Sequence, residues 1–152
     1  MKIAVFPGSF DPITRGHQAV LESAMPLFDR IYVAIGVNAA KQGFFSIEQR
    51  KRWIRQAFPM NDNLEIIDYD ILTVDLCRQL NAGFILRGLR NSNDFIYENE
   101  IAQANRHLNP EVQTLFFTTP PELSFVSSSI VRDVYRHHGD YSAFVPQGVV
   151  LG

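Results

Sequence analysis

Short apolar runs rich in Val, Ile and Phe alternate with segments of helical periodicity along the chain. Near-continuous apolar runs of this length are typical of strands in a parallel sheet that helices cover on both faces. The predicted strands cover residues 3–6, 30–37, 64–68, 84–87 and 112–118. The alternation of strand and helix therefore predicts an α/β fold with a doubly wound, five-stranded parallel sheet.

The first two predicted helices carry clear start and stop signals. One begins near Gly16, and Pro26 should kink or end it. Ser46 and Gln49 form a capping box, which predicts a second helix that runs to about residue 58, before Pro59.

Three more helices are predicted in the rest of the chain. A short one covers residues 73–81, and a longer one covers 94–109. On the longer helix four apolar positions form one stripe, namely Tyr97, Ile101, Ala104 and Leu108, and Pro110 is the predicted stop. The last helix lies within SSSIVRDVYRHHG, where Gly139 can close it.

Size and composition exclude several classes of protein. The 152 residues, 46% hydrophobic and 20% charged, predict a single domain over 1–152. A net charge of −2 without a basic block argues against a nucleic-acid partner. No apolar run is long enough for a membrane span or a signal peptide. The only cysteine, Cys77, excludes an internal disulfide, and together these features favour the cytoplasm.

The segment PGSFDPITRGH, residues 7–17, joins the first strand to the first helix with unusual chemistry. Ser9 offers a hydroxyl, Gly16 permits close approach of the backbone, and His17 lies where free N–H groups and the helix dipole favour an anion. The plain alternative is a tight turn that His17 caps. Because the three residues occur together at the carboxyl edge of the sheet, the segment favours an anion site.

Three basic residues follow other strands at the same predicted edge. Arg87 and Arg90 in LRGLR suit bidentate recognition of phosphate, although salt bridges with Asp94 and Glu98 are the plain alternative. Lys41 follows the second strand, and a lone loop lysine is usually just solvated. For the two arginines, their position at the carboxyl edge of the sheet favours a functional role over surface salt bridges.

Two motifs resemble signatures of the nucleotidyltransferase superfamily: TRGH, at residues 14–17, and SSSIVR, at residues 127–132. Together with FSIEQR, LRGLRNSNDFIYE and ELSFVSSSIVRDV, the chain resembles the bacterial phosphopantetheine adenylyltransferase family over residues 2–146. The resemblance implies a Rossmann-like nucleotidyltransferase fold. It also implies an adenylyltransferase that joins ATP and 4′-phosphopantetheine, giving dephospho-coenzyme A and pyrophosphate in the penultimate step of coenzyme A synthesis.

The resemblance further assigns site residues. It implies catalytic roles for His17, Lys41 and Arg90, and contacts of Ser9, Lys41, Thr73 and Arg87 with the pantetheine substrate. The ATP contacts that it implies are Ser9, Phe10, His17, Gly88, Leu89, Arg90, Glu98, Leu123, Ser124, Phe125, Val126, Ser127, Ser128 and Ser129. Mg²⁺ is expected to arrive mainly on ATP, without a protein ligand that can be named, and a homohexamer is expected. Because the attacking phosphate is already anionic, no general base is required, and direct in-line attack without a covalent intermediate is expected.

The chain departs from the family pattern at several of these positions. Ser9 stands where Thr is common, and Thr73 replaces an apolar residue, so its contact with substrate should use backbone atoms. Leu123 replaces an aromatic residue that is often found beside adenine. Gln42 and Gly43 stand where Lys and Pro are frequent, which leaves the stiffness of that loop open.

Two other functions remain as alternatives. The nearest is another enzyme of the superfamily, which transfers a nucleotide to nicotinamide mononucleotide or a phosphorylated alcohol. The pairing of RGLR with DFIYE in a short chain favours pantetheine. A catalytically silent binder of nucleotide or coenzyme A would not need His17, Lys41 and Arg90 together. A P-loop hydrolase is excluded because its lysine motif is absent.

Overall fold

The computed structural model describes all residues 1–152 and contains one five-stranded sheet. Every strand pair is parallel, and the spatial order is β3-β2-β1-β4-β5. The strands are β1 Ile3–Gly8, β2 Arg30–Gly36, β3 Leu64–Tyr69, β4 Phe84–Leu89 and β5 Gln113–Thr118. The α/β fold that the apolar runs predict is confirmed. The order of the strands reverses between β1 and β4, which places a ligand crevice at their carboxyl ends.

Five α-helices connect or flank the strands. They are α1 Arg15–Ala24, α2 Ile47–Ala57, α3 Thr73–Leu80, α4 Ser92–Leu108 and α5 Ser128–Arg136. Pro26 lies in a short 3₁₀ turn directly after α1, as its missing N–H predicts. Both hydrogen bonds of the Ser46–Gln49 capping box form at the start of α2.

Alternate side chains of β1 feed two hydrophobic clusters, one on each face of the sheet. Ala4 and Phe6 pack in the larger cluster with α1, α2 and α5, whereas Val5 packs in the smaller one with α3. A strand with period two that is buried on both sides must be apolar throughout. Packing on both faces therefore holds β1 in place, and with it the carboxyl end of the strand from which the first loop leaves the sheet. No helix is both long and apolar enough to cross a membrane.

The apolar stripe of α4 does not face the core. Tyr97 is 65% exposed, Leu108 is 50% exposed and Ile101 is 39% exposed, and Glu98 is the only buried residue of the helix. Helical periodicity identifies an apolar face but not what covers it, and the inward side of α4 holds a charged residue paired with β4.

The end of α5 also differs from its sequence signal. Gly139 does not take the left-handed backbone conformation expected of a closing glycine; the preceding residue, His138, takes it with φ of 59°. The N–H of Gly139 then donates to the carbonyl of Val134 at 2.9 Å and satisfies one of the free carbonyls at the helix end. The position of the cap is therefore one residue earlier than the sequence predicts.

Candidate active site

The first loop and the LRGLR segment meet at the carboxyl ends of β1 and β4. They line a cavity of about 260 Å³ together with the start of α5. The wall includes Ser9, Gly16 and His17 from the first loop, and Arg87, Gly88 and Arg90 from β4 and the residues after it. Gly88 lies against α1, where an added Cβ would stand 2.8 Å from Val20 Cγ2. This cavity, called the His17 cavity below, unites the candidate residues that sequence reasoning drew from two distant motifs.

His17 is held in one orientation by the first turn of α1. The backbone N–H of Thr14 donates to His17 Nδ1 at 3.0 Å, and Thr14 Oγ1 accepts from the His17 N–H at 3.3 Å. This reciprocal pair is a capping box with histidine in the third helical position. Because Nδ1 accepts from a backbone N–H, the proton of the neutral ring must be on Nε2.

The surroundings of His17 keep the ring neutral. Its ring packs against those of Phe10 and Phe6, with centroids 4.9 Å and 6.3 Å away. Burial, and to a lesser extent the positive charges of Arg87 and Arg90, lower the pKa of His17 to about 4. At neutral pH the side chain is therefore an uncharged donor through Nε2–H, suited to a phosphate oxygen and unable to repel a neighbouring guanidinium.

The lowered pKa of His17 predicts that acid lowers the free energy of unfolding of the wild type, and that His17→Gln removes this part of the loss. The pKa of His17 is about 4 in the folded chain, against a usual 6.5. As the pH falls from 6.5 to 4 the unfolded chain takes up a proton that the native chain resists. Wild type should therefore lose about 3 kcal/mol more than His17→Gln between pH 7 and pH 4. Glutamine keeps the capping box.

Urea unfolding of both variants at each pH measures this difference. The exposed His107 gives the matched control, His107→Gln, which should lose as much stability as wild type. Equal losses in wild type and His17→Gln would show that the ring is not kept neutral by its surroundings.

Arg87 forms a bidentate ion pair with Glu98 on α4. Arg87 Nε donates to Glu98 Oε2 at 2.8 Å and Nη2 donates to Oε1 at 2.7 Å, while Nη1 donates to the carbonyl of Pro7 at 2.6 Å. The salt bridge that the sequence leaves as the plain alternative is thus formed. It ties β1, β4 and α4 together at the floor of the cavity, and it holds the arginine side chain in one position.

Arg90 is paired less completely. Its Nε and Nη2 donate to Asp94 at 3.1 Å and 3.3 Å, and its Nη1 has no acceptor within the chain. Burial opposes ionisation of Asp94, but the hydrogen bonds from Arg90 outweigh it and hold the pKa of Asp94 below its usual range. Arg90 is an exposed cation with a free donor in the cavity wall.

The two sequence motifs are bonded to each other. Ser128 Oγ donates to the carbonyl of Pro12 at 2.8 Å, and Arg132 Nη1 donates to the carbonyl of Asp11 at 2.7 Å. Ser127 caps α5 by accepting from the Ile130 N–H at 3.2 Å. Ser129 accepts from Arg132 at 3.2 Å. Each of the three serine hydroxyls therefore has a partner in the fold, and Arg132 fixes the first loop.

Lys41 lies outside the His17 cavity. It is exposed and lines a larger neighbouring cavity of about 750 Å³, which shares Ser9 with the His17 cavity. No carboxylate lies within ion-pair distance of its side chain. Of the three predicted catalytic residues, His17 and Arg90 therefore line one cavity, and Lys41 lines the neighbouring one.

A buried ion pair holds the first loop against the loop of Lys41. Asp11 accepts from the N–H groups of Phe44 and Phe45 at 2.8 Å and 2.9 Å, and lies 3.7 Å from Arg50. Arg50 in turn donates to the carbonyls of Phe45 and Ser9, both at 3.0 Å. Sequence reasoning missed both residues, because nothing local marks a charge pair that spans two loops.

Gly43 is required beside this ion pair. A Cβ added there would overlap Arg50 Nη2 and stand 2.8 Å from the Cζ of the same guanidinium. We expect Gly43→Ala to displace the guanidinium and to lower the free energy of unfolding by about 1–3 kcal/mol. Urea unfolding measures the change, and Gly83→Ala is the control, because nothing lies within 4 Å of its added Cβ. Equal stability of the two variants would contradict this role of Gly43.

A second cavity, of about 210 Å³, adjoins the His17 cavity on the other side of the Arg87–Glu98 pair. Both cavities are lined by Pro7, Gly8, Arg87 and Glu98. Thr73, which the resemblance assigns to the substrate, lies in the wall of this second cavity. The second cavity is called the Thr73 cavity below.

The remaining predicted ATP residues are divided between the wall of the His17 cavity and its surroundings. Three consecutive residues lie in the wall, namely Val126, Ser127 and Ser128. The other predicted residues lie just before or after these three in the sequence and outside the wall: Leu123, Ser124, Phe125 and Ser129. The exposed Phe125 ring packs against Phe144 with centroids 5.7 Å apart. Phe10 is buried with φ of 45°, and Gly8 leaves room for its ring. No group of three His, Cys, Asp or Glu side chains converges as a metal site would require.

Known proteins resemble this chain in sequence and in fold. The cytidylyltransferase-like family model matches residues 5–134. A phosphopantetheine adenylyltransferase of Flavobacterium psychrophilum is 52% identical over 98% of both chains, and that of Bacteroides thetaiotaomicron is 43% identical over 99% of both. Among solved structures, a Vibrio parahaemolyticus chain superposes with a TM-score of 0.71 at 18% identity, covering 95% of this chain and 94% of its own.

A nicotinic acid mononucleotide adenylyltransferase of Plasmodium falciparum, solved with NaAD, superposes with a TM-score of 0.67 at 18% identity, over 96% of this chain and 91% of its own. The fold and the two motifs that meet in the His17 cavity define a nucleotidyltransferase of the cytidylyltransferase-like family. Within that class, the identity to curated relatives is decisive. The chain belongs to the phosphopantetheine adenylyltransferase family of enzymes.

Proposed function

We propose that this enzyme transfers the adenylyl group of ATP to 4′-phosphopantetheine, giving dephospho-coenzyme A and pyrophosphate. The observation that carries the proposal is that the His17 cavity and the Thr73 cavity adjoin and share Pro7, Gly8, Arg87 and Glu98 in their walls. A nucleotide phosphate would lie in the His17 cavity, and an elongated acceptor would reach it from the Thr73 cavity. The phosphate of the acceptor would then approach the α-phosphate of ATP near Ser9 and His17.

The proposed reaction is a direct in-line displacement. An oxygen of the acceptor phosphate forms a bond to the α-phosphorus of ATP, and the bond from that phosphorus to the β-phosphate bridging oxygen breaks, releasing pyrophosphate. The acceptor oxygen is already anionic, so no side chain needs to remove a proton. Catalysis then reduces to positioning two polyanions and stabilising the charge on the attacked phosphate.

The residues of the chain divide that work. The Nε2–H of His17 donates to the attacked α-phosphate, and the free Nη1 of Arg90 donates to the neighbouring phosphates. Gly88 and Leu89, which directly precede Arg90, lie along the nucleotide, and Glu98 acts mainly by holding Arg87. Ser9 contacts the acceptor phosphate through its hydroxyl, and Lys41 supplies the positive charge from the adjoining cavity. The segment 123–129 covers the nucleotide.

Mg²⁺ is proposed to arrive with ATP. Its preference for phosphate oxygens and retained water fits a chain in which Asp94 and Glu98 are both engaged by arginines. When bound it would offset part of the charge of the triphosphate.

The test is adenylyl transfer by the purified protein with ATP and Mg²⁺ in parallel reactions. One contains 4′-phosphopantetheine, one nicotinamide mononucleotide and one glycerol phosphate, and mass spectrometry reads the products. Dephospho-coenzyme A and pyrophosphate from the first reaction alone would support the proposal. Product only from another acceptor would assign this enzyme a different substrate, and binding of ATP or coenzyme A without turnover would indicate a silent binder.

We further propose a homohexamer in the cytoplasm. The exposed apolar stripe of α4, with Tyr97, Ile101 and Leu108, supports self-association, because faces of this kind on soluble chains are commonly interfaces. Cys77 is buried and free, and a lone unpaired cysteine is typical of proteins in a reducing compartment. Sedimentation equilibrium gives the mass of the assembly, and a monomeric mass would contradict the hexamer.

A further inference from the structure

A buried ion pair joins the two loops that carry Ser9 and Lys41. The side chains of Arg50 and Asp11 are only 7% and 9% exposed, and Arg50 Nε lies 3.7 Å from Asp11 Oδ1. Both residues line the larger cavity that Lys41 also lines. Because desolvation offsets much of the attraction in a buried ion pair, the charges alone are a weak source of stability. The hydrogen bonds of the pair show what it holds.

All four of these hydrogen bonds go to backbone groups of the two loops. The Asp11 carboxylate accepts from the N–H groups of Phe44 and Phe45 at 2.8 Å and 2.9 Å, and so holds the loop between β2 and α2 near its end. Arg50 Nε donates to the carbonyl of Phe45 and Nη1 donates to the carbonyl of Ser9, both at 3.0 Å. One planar guanidinium therefore fixes Ser9 against the loop between β2 and α2.

Lys41 is close in the sequence to this anchor. Its N–H donates to the carbonyl of Asn38 at 3.0 Å, which closes the turn that contains the lysine. Two residues separate the lysine from Phe44, where the Asp11 carboxylate holds the loop. The position of the Lys41 ammonium relative to the Ser9 hydroxyl therefore depends on the ion pair.

The nucleotide side of the site has anchors of its own. The backbone of Thr14 orients His17, and two residues of α5, Ser128 and Arg132, hold carbonyls of the first loop. None of these hydrogen bonds involves the side chain of Arg50. A change at Arg50 should therefore affect the groups around the acceptor phosphate and spare those around the nucleotide.

We propose that Arg50, together with Asp11, is a positioning residue for the acceptor phosphate. It sets the separation between the Ser9 hydroxyl and the Lys41 ammonium, so that both contact one phosphate group. This inference rests on the proposed function, which assigns that phosphate to Ser9 and Lys41. It gives the ion pair a part in selecting an acceptor that ends in a phosphate monoester over one that ends in a free alcohol.

Arg50→Lys tests the positioning role, because lysine keeps the charge beside Asp11 but lacks the planar fork that reaches both carbonyls. Pantetheine, which lacks the phosphate, is the reference ligand, and calorimetric titration measures each dissociation constant. We expect the preference of the enzyme for 4′-phosphopantetheine over pantetheine to fall by about 5- to 20-fold, the effect of a weakened charge-assisted hydrogen bond. The dissociation constants of pantetheine and of ATP should change by less than about twofold, because their contacts are held by other residues. A purely structural role would lower all three affinities together.

The matched control is Lys51→Gln. Lys51 follows Arg50 on α2 and forms an ion pair with Asp68 of β3, so its replacement removes a charge pair of the same helix that involves neither loop. The preference for the phosphorylated acceptor should stay at the wild-type value. If Arg50→Lys does not fold, Gly43→Ala takes its place, because an added Cβ displaces the same guanidinium, and it should lower the preference in the same direction.

A double variant tests whether Arg50 acts through the lysine. In the Lys41→Gln background the effect of Arg50→Lys should shrink, because one of the two groups that it positions is already lost. Fully multiplicative effects would contradict this route.

The same measurements separate this inference from the proposed function. Wild type that neither binds nor adenylylates 4′-phosphopantetheine would overturn the proposed function. Normal wild-type transfer to 4′-phosphopantetheine, with an unchanged preference in Arg50→Lys, would overturn the present inference alone. So would a loss that falls equally on ATP or pantetheine, or one that Lys51→Gln reproduces.

Discussion

Replacing His17 with alanine is expected to lower kcat for adenylyl transfer by about 10²- to 10³-fold. KM for ATP and for 4′-phosphopantetheine should change by less than about threefold. The reason is the geometry of the ring, because Thr14 N–H occupies Nδ1 and leaves Nε2–H as a fixed, neutral donor. The hydrogen bond from such a donor becomes stronger as negative charge on the accepting phosphate oxygen grows during the reaction. Steady-state kinetics with each substrate varied in turn measures both parameters.

Two variants control the fold in that experiment. His17→Gln keeps the capping box and should have a melting temperature near that of wild type, with part of the kcat restored by its amide donor. His107→Ala removes an exposed histidine at the end of α4 and should leave kinetics unchanged. If His17→Ala weakens ground-state binding as much as it slows turnover, the ring is a substrate ligand rather than a group that stabilises the transition state.

The second large effect is expected from Lys41→Gln, which should lower kcat/KM by about 100-fold. In the His17 cavity the charges of Arg87 and Arg90 are offset by Glu98 and Asp94. Two polyanions therefore require a further cation, and Lys41 stands in the adjoining cavity without a carboxylate partner. A charge-assisted hydrogen bond from a lysine to phosphate contributes about 2–3 kcal/mol.

Because Lys41 is exposed, its replacement should leave the melting temperature unchanged, so that a loss of activity reports on the reaction. Lys41→Arg should restore part of the activity by returning the charge, and Lys2→Gln removes an exposed lysine on the opposite edge of the sheet as a control. The loss should shrink at high ionic strength, which screens the attraction to phosphate. Full activity of Lys41→Gln would show that Lys41 has no role in the reaction.

The elements that local patterns determine were predictable from the sequence. Apolar runs that need burial on both faces marked all five strands within one to two residues. The capping box at Ser46 and the break at Pro26 depend on backbone groups within four residues, so their chemistry is complete in the local sequence. The TRGH and SSSIVR motifs likewise identified the loop and the helix that meet at the site.

Contacts between distant segments could not be predicted in the same way. The apolar spacing of α4 was correctly recognised, but whether its stripe meets this core or another surface depends on how the helix is rotated against β4 and β5. The hydrogen-bond partners of the serines at the start of α5 could not be predicted either, since the hydroxyl of Ser128 donates to the carbonyl of Pro12, 116 residues away in the sequence. The Asp11–Arg50 pair joins two loops, and no pattern in either loop indicates the other.

The sequence by itself therefore determined the fold class, the family and the residue types that handle phosphate, because these follow from periodicity and short motifs. Only the tertiary structure decided which of those residues are free to act. Folding pairs Arg87 with Glu98, leaves Arg90 one open donor, turns His17 into a neutral Nε2–H donor and sets Lys41 in the adjoining cavity. Protonation states and ion pairs depend on burial and on distances of a few ångströms between segments, which are properties of packing rather than of local sequence.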